Sequence, residues 1–133
     1  MNHLFEADSC GTSAEHRGAP PDERTLRNAA GNGIFFKHQA RKLSPDDFEN
    51  QDLILTMDIH NHRETTGLAR RLGYNKADIR MMRSFDPMAE IATASVPDPW
   101  YGDDHDFEEV FRILHRSCRG LLSSLQEQVF TDE

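Results

Sequence analysis

The sequence is poor in cysteine and has no long apolar run. Its 133 residues include only two cysteines, Cys10 and Cys118, too few for a disulfide framework and too far apart to suggest a metal knuckle. The first residues, MNHLFEADS, have neither the basic nor the apolar segment of a secretory signal, and no apolar run is long enough to cross a bilayer. A reducing, cytoplasmic setting is therefore the default expectation.

Positive charge is also scarce. Lys and Arg number 15 against 23 Asp and Glu, so the formal net charge is -8. Nucleic acids and membrane surfaces need a positive field, so neither is an expected partner, although a small anion held by a local group of donors is not excluded. Hydrophobic residues at 37% and charged residues at 29% are ordinary for a globular protein, and the length suits one domain with a single core.

Strand-like and helix-like patterns alternate along the chain. Helices are expected in DERTLRNAAG, from SPDDF with Ser44 as N-cap, and in IHNHRETTGLARRLG up to Gly73. Strands are expected at Leu4–Ser9, in DLILTMD and in DIRMMRSF; DLILTMD has no polar alternation, which favours a strand covered on both faces. The pattern predicts an α/β fold with a mainly parallel sheet, in which ligands bind in the loops after the strands. Asp58 and the long loop at 86–102 both lie there.

The last element is the clearest one. Apolar residues recur at helical spacing from residue 107 onward, and they are Phe107, Val110, Phe111, Leu114, Cys118, Leu121, Leu122, Leu125 and Val129. Acidic residues stand at the helix N-terminus, where the macrodipole favours negative charge. Because Cys118 is on this stripe, we expect it to be a small buried core residue.

The stretch PDPWYG lies just before this helix. Pro99 disfavours helical dihedrals at Asp98, so the carboxyl is presented on a stiff, extended segment. Asp98 could then give a proton to a leaving oxygen, and Trp100 with Tyr101 could form a slot for a flat ring. The alternative is a turn that leads into the helix and whose aromatics only fill the core, and this stretch alone favours that alternative.

Two other polar clusters also have alternative interpretations. DIHNHRE groups carboxylates with imidazoles, but His60 and His62 are two positions apart and face different sides of a helix. A helix start capped by Asp58 is therefore favoured over a zinc site, and no metal or cofactor is expected. KHQARK could help to hold an anion, or could brace a nearby loop through His38, but a solvated basic face is the favoured interpretation.

Three segments together resemble the low-molecular-weight protein tyrosine phosphatases. They are DSCGTSAEHRGAPPDERT, KHQARKLSPDDFENQDLILTMDIHN and VPDPWYGDDHDFEEVFRILHRSCRGLL, in the order expected of the family. The resemblance runs from about Phe5 to about Leu125. It implies a three-layer α-β-α fold with a small, mainly parallel sheet, no cofactor, and phosphotyrosine proteins or aryl phosphates as substrates.

The resemblance also implies a role for individual residues. In the family a thiolate in a C-x5-R-[ST] loop attacks phosphorus, and an aspartic acid protonates the leaving phenolate and then activates water. Asp98 resembles that general acid and base, and Trp100 and Tyr101 resemble the aromatics that flank the phenol ring. Supporting roles are implied for three further residues, which are His38, Ser9 and Asp58.

The sequence departs from the family at its start. Seven residues precede Asp8, and no C-x5-R-[ST] occurs, because Arg17 is one position too far from Cys10. We therefore expect residues 1–133 to form a single phosphatase-like domain that is N-terminally incomplete, without the first strand, the phosphate loop and the first helix. Such a chain is expected to be inactive and marginally stable, with Leu4–Ser9 displaced or with sheet edges open to pairing between molecules.

Other functions are compatible with the same residues. The chain could be a non-catalytic interaction protein that keeps the aromatic loop as a binding surface. Arsenate reduction on the same fold ranks lower, because it needs relay cysteines and Cys10 and Cys118 are not placed for that role. Arginine-phosphate specificity is possible in principle within the family, but Trp100 and Tyr101 fit an aryl group better.

Overall fold

The computed structural model describes residues 5–12, 18–35, 39–91, 94–99 and 102–132, with side chains described as far as residue 127. Within these ranges the elements are α1 Glu23–Gly31, α2 Pro45–Asn50, β1 Leu53–Thr56, α3 Ile59–Leu72, β2 Asp78–Met81, a 3-10 turn Met82–Phe85 and α4 Asp104–Asp132. The helices predicted from the sequence are all present, and their alternation with strands confirms the α/β class. Among the described helices, none has the length and apolar character needed to cross a membrane.

The sheet of the described residues consists of two parallel strands. Leu53 pairs with Asp78 and Thr56 pairs with Met81. Helix α3 makes the crossover between β1 and β2, since parallel neighbours cannot be joined by a tight turn. A further parallel bridge lies outside this sheet and joins Gly11 to Lys42.

One face of the sheet is covered by α2 and α3. Phe48 of α2 and Ala69 of α3 form a buried cluster with Leu43. Ile54 of β1 and Ile79 of β2, which are partners in the register, pack against this cluster. The burial of Phe48, only 1% exposed, shows that this face is well closed.

The other face of the sheet is covered mainly by α4. Ile113 of α4 forms a buried cluster with Met82 and with Val96 from the loop before the helix, and Leu55 of β1 packs against it. Because Ile54 and Leu55 are consecutive, their side chains point to opposite faces. The sheet therefore lies between two helical layers.

The helix boundaries follow the signals in the sequence. The Ser44 N–H donates to the Asp47 carboxylate at 2.9 Å, which is half of a capping box at the start of α2. Asp58 accepts from the Asn61 N–H at 2.7 Å and caps α3 as predicted. Gly73 ends α3 with a φ of 78°, a conformation that glycine adopts at little cost.

The strand predicted at Leu4–Ser9 is not formed over residues 5–9, and Leu4 lies outside the described residues. Instead, the Gly11 N–H donates to the Arg41 carbonyl at 2.9 Å, and the Leu43 N–H donates to the Gly11 carbonyl at 2.7 Å. The strand interpretation is wrong for residues 5–9, in agreement with the expectation that this segment is displaced, because in the described part of the chain no strand lies beside them to complete a ladder.

Strand β1 is more exposed, and strand β2 is shorter, than the sequence predicted. Thr56 is buried, but Leu53, Ile54 and Leu55 are only half-buried. Within the described residues β1 has a strand neighbour on one side only, so its apolar side chains are covered less completely than those of an interior strand. The strand predicted in DIRMMRSF ends at Met81 and continues as the 3-10 turn.

Helix α4 buries most of the predicted stripe, since Phe107 is buried and Val110, Leu114 and Leu121 pack against the buried cluster, but Cys118 is an exception. Cys118 is exposed, whereas Ile113 and Ser117 are buried, and the Ser117 hydroxyl donates to the Ile113 carbonyl at 2.8 Å. Gly120 lies so close to the Phe85 carbonyl that a Cβ there would clash. The expectation that Cys118 is a core residue is therefore wrong, because the close packing of α4 on the 3-10 turn directs residues 113, 117 and 120 inward.

Candidate functional site

The loop that carries Asp98 begins at a buried carboxylate, Asp86. Its side chain has no exposed surface and accepts from Arg116 Nε at 3.1 Å, from Arg83 Nε at 3.2 Å and from the Met88 N–H at 2.9 Å. Burial by itself would raise the pKa of Asp86, but the hydrogen bonds from Arg116 and Met88 and the charge of Arg116 outweigh it, so the pKa lies below its ordinary value. The carboxylate stays ionised and fixes the start of the loop.

The same loop is fixed again just before Asp98. The Val96 N–H donates to the Met57 carbonyl at 2.7 Å, and the Ile59 N–H donates to the Ser95 hydroxyl at 3.3 Å. Arg83 Nη1 also donates to the Ser95 carbonyl at 3.1 Å. Since Met57 directly follows β1, these contacts hold the loop at the carboxyl end of the strand, where α/β folds bind ligands.

Asp98 itself is exposed, two residues after the buried Val96. The Gly102 N–H donates to the Pro99 carbonyl at 2.7 Å. Arg24 Nη1 of α1 donates to the Gly102 carbonyl at 3.3 Å. The acid therefore lies shortly before a point at which the chain is bonded to α1, just ahead of α4.

Polar side chains occupy the end of β1 beside this loop. The Thr56 hydroxyl donates to the Arg80 carbonyl at 3.3 Å and lies 2.9 Å from His62 Nδ1. The hydroxyl has one hydrogen, and the Arg80 carbonyl receives it. The proton between Thr56 and His62 is therefore assigned to Nδ1 of His62. Glu64 Oε1 lies 2.7 Å from His60 Nε2, which is within ion-pair distance. Each imidazole of the DIHNHRE stretch thus has its own partner.

Cys10 lies beside an acidic cluster. Arg41 donates to both carboxylate oxygens of Asp47, at 2.9 and 3.0 Å, and from Nε to Asp8 at 3.2 Å. Partial desolvation raises the pKa of the Cys10 thiol, and the negative charges of Asp47 and Asp8 raise it further, although Arg41 lowers it in part. Cysteine nucleophiles are activated by a lowered pKa, so these surroundings do not activate Cys10.

Comparisons with known proteins decide the family. The family model of the low molecular weight phosphotyrosine protein phosphatases matches residues 1–131. The chain belongs to this family. The low molecular weight protein-tyrosine-phosphatase of Streptomyces coelicolor is 36% identical over 129 residues, which are 97% of this chain and 78% of that protein. The human low molecular weight phosphotyrosine protein phosphatase is 36% identical over 122 residues, 92% of this chain and 75% of that protein.

Solved phosphatase structures share the fold. The protein tyrosine phosphatase of Entamoeba histolytica, crystallised with Hepes in its active site, has a TM-score of 0.81 at 30% identity, over 91% of this chain and 75% of that one. A Drosophila arginine phosphatase has a TM-score of 0.82 at 24% identity, over 89% and 75%, a likeness that concerns the fold alone. These structures confirm an α/β phosphatase fold with helices around a small parallel sheet.

The structure describes only some of the phosphatase residues predicted from the sequence. Asp98 and Asp58 both lie at the carboxyl end of β1, since the loop of Asp98 is bonded to Met57 and Ile59. Ser9 is exposed, and its N–H donates to Asp8 at 2.8 Å. Three predicted site residues lie outside the described residues, and they are Trp100, Tyr101 and His38.

Sequence reasoning missed the residues that hold the loop of Asp98 in place. Asp86 comes directly before a proline in SFDPM, which signals a turn but gives no indication of complete burial. Arg116 is adjacent to the apolar stripe of α4, and its partner is 30 residues away in the chain. Such a pair can be found only from the packing of α4 on the 3-10 turn.

Proposed function

We propose that this chain contributes the proton donor of phosphotyrosine hydrolysis, and that Asp98 is that general acid. The observation that carries the proposal is an exposed carboxyl on a loop that is bonded to the protein before Asp98, at Asp86 and at the Val96–Met57 hydrogen bond, and after it, at the Arg24–Gly102 hydrogen bond. A positioned acid of this kind can protonate a phenolate as it leaves phosphorus and can later take a proton from the attacking water. The names of the curated relatives point to the same substrate class.

The remaining site residues are assigned by the family resemblance. Trp100 and Tyr101 flank the phenol ring of an aryl phosphate or of a phosphotyrosine side chain. His38 braces the phosphate loop, and Ser9 and Asp58 are polar residues near the phosphate. Asp58 also caps α3, so its contribution is to hold the end of β1 in place.

The same proposal holds that these 133 residues do not hydrolyse a phosphate ester by themselves. A C-x5-R loop needs arginine six positions after the cysteine, and the residues there are His16 after Cys10 and Ser124 after Cys118. Partial desolvation raises the pKa of the Cys118 thiol, which is exposed in part, and the pKa of the Cys10 thiol is also raised. A general acid cannot replace the thiolate that forms the bond to phosphorus.

Hydrolysis of p-nitrophenyl phosphate tests both parts of the proposal. The purified chain is expected to give no vanadate-sensitive release of nitrophenol. A chimera that carries the strand, the C-x5-R-[ST] loop and the first helix that the family resemblance implies, placed ahead of residue 1, is expected to be active. A second chimera, in which the loop cysteine is changed to serine, is the matched control and should be inactive.

The two parts fail in different ways. Vanadate-sensitive hydrolysis by the unmodified chain would show that the chain has its own nucleophile. A folded but inactive chimera, with the circular dichroism spectrum of an α/β protein, would instead reject the assignment of the acid and the ring-binding residues to this chain.

A non-catalytic binding role is the second candidate function. It is favoured by the buried clusters on both faces of the sheet and by the complete set of partners around Asp86, because a binding protein must be stable alone. A cooperative thermal transition of the isolated chain supports this role, whereas an aggregating or unfolded chain rejects it.

A further inference from the structure

A cleft of about 370 Å³ lies between α3 and the segment around the Gly11–Lys42 bridge. Its cationic lining consists of Lys42 together with Arg63 and Arg71 of α3. None of its lining residues belongs to the loop that carries Asp98. The cleft is thus a separate feature from the proposed catalytic site.

The cations of this cleft differ from most others in the described residues. Most arginines of the described residues form ion pairs with carboxylates, and these are Arg24, Arg27, Arg41, Arg80, Arg83, Arg112 and Arg116. By contrast, the side chains of Lys42, Arg63 and Arg71 make no ion pair or hydrogen bond with any residue in the described part of the chain. Their charge remains available for a ligand.

The balance of charge in the cleft is positive although the chain as a whole is acidic. The formal net charge of the chain is -8, yet three cations here face one carboxylate, Glu64, which is paired with His60 at 2.7 Å. Charges of one sign that line a concave surface reinforce one another. A ligand with at least two negative charges fits this arrangement.

The other lining residues narrow the class of ligand. Leu43 is buried and Leu68 is half-buried, so both offer apolar surface to the body of a ligand. The Thr12 hydroxyl can donate to or accept from a ligand hydroxyl, and Glu64 can accept from one. The volume falls in the range of small-molecule sites, so a bare phosphate ion would leave much of the cleft empty.

We propose that this cleft binds a small organic phosphate that carries hydroxyl groups. The phosphate lies among Arg63, Arg71 and Lys42, because guanidinium groups bind phosphate oxygens in pairs. The hydroxyl-bearing body lies over Leu43 and Leu68.

A titration with glycerol 3-phosphate, followed by backbone amide NMR shifts at constant ionic strength, tests the proposal. Saturable shifts are expected at Thr12, at Lys42 and Leu43, and along 63–71. The Arg63→Ala/Arg71→Ala double variant is expected to bind about tenfold more weakly, or worse, because two charged hydrogen-bonding groups are lost. Arg70→Ala is the matched control, since Arg70 is exposed on the same helix but does not line the cleft, and it should bind like the unchanged chain.

Each other outcome overturns the proposal. An equal loss in Arg70→Ala would mean diffuse attraction by the helix rather than a site, and shifts confined to 94–99 would place binding at the loop of Asp98. Equal affinity for inorganic phosphate would reject an organic ligand, and equal affinity for glycerol would reject the role of the phosphate. A chain that does not fold would also reject it, since the cleft exists only in the folded protein. None of these results depends on hydrolysis, so the proposed function can fail while this site stands.

Discussion

Arg116 of α4 donates from Nε to the buried Oδ1 of Asp86 at 3.1 Å. This bond joins the longest helix of the described chain to the start of the loop that presents Asp98. The carboxylate has no exposed surface, but the Arg116 side chain is 28% exposed, so the pair is partly shielded from water and its loss costs hydrogen bonds to a charged group. The position of the proposed acid therefore depends on a contact far from it in the sequence.

Replacement of Asp86 by asparagine tests this dependence. Asp86→Asn leaves Arg83 and Arg116 near a neutral group, and we expect a loss of about 1–3 kcal/mol in the free energy of unfolding, measured by urea denaturation. Asp78→Asn is the control, because the Asp78–Arg80 pair is half exposed on both sides and should cost less than about 0.5 kcal/mol. Equal effects of the two changes would mean that Asp86 is not an anchor.

The pH dependence of stability follows from the same carboxylate. The pKa of Asp86 is lower in the folded chain than its ordinary value, so its stabilising contribution is present above the ordinary carboxyl pKa of about 4 and is lost as the pH falls through the folded-state value. We expect the free energy of unfolding to decline below about pH 4. The decline should be smaller in Asp86→Asn, and a decline that is identical in the two proteins would contradict the assignment.

Two helical glycines should respond in opposite ways to alanine. A Cβ at Gly120 would clash with the Phe85 carbonyl, whereas a Cβ at Gly67 in α3 meets nothing within 4 Å. Gly120→Ala should therefore destabilise the chain by about 1–3 kcal/mol. Gly67→Ala should stabilise it by about 0.5–1 kcal/mol through helix propensity. Thermal melts of both variants check the sign, and stabilisation by Gly120→Ala would refute the close packing of α4 on the 3-10 turn.

Alkylation of Cys10 tests whether the chain contains an activated thiol. Desolvation and nearby carboxylates raise its pKa, so the rate of reaction with iodoacetamide should reach its midpoint above the pH of about 8.5 that is typical of free cysteine. Asp8→Asn should lower this midpoint, since the Asp8 charge is one of the causes. A midpoint below pH 7 in the unchanged chain would make Cys10 a candidate nucleophile again.

Local signals in the sequence were sufficient for the helices. Ser44 and Asp58 are N-caps, and Gly73 ends α3 in the left-handed conformation. Serine and aspartate side chains accept hydrogen bonds from the N–H groups that a helix start leaves unpaired, and glycine adopts the conformation that ends a helix at little cost. The parallel pairing of β1 with β2 was also predictable, since a helix separates them. The family was predictable from three short segments taken together.

Features that depend on packing between distant elements were not predictable. The apolar pattern of α4 suggested that Cys118 faces the core, but the approach of Gly120 to Phe85 orients the helix so that Cys118 is exposed. The strand expected at Leu4–Ser9 is not formed over residues 5–9, because a strand needs a neighbouring strand to pair with as well as a suitable sequence. The unpaired charges of the cleft were not predictable either, because the sequence does not show which arginines form ion pairs with carboxylates in the folded chain.

The most direct test of the central claim compares two leaving groups in the active chimera. A general acid matters most when the leaving group is a poor one, so Asp98→Asn should lower the turnover of phenyl phosphate by about 100-fold or more and that of p-nitrophenyl phosphate by much less. Asp103→Asn, five positions further along, should leave both rates nearly unchanged. An equal loss on both substrates, or no loss on either, would contradict the assignment of Asp98 as the proton donor.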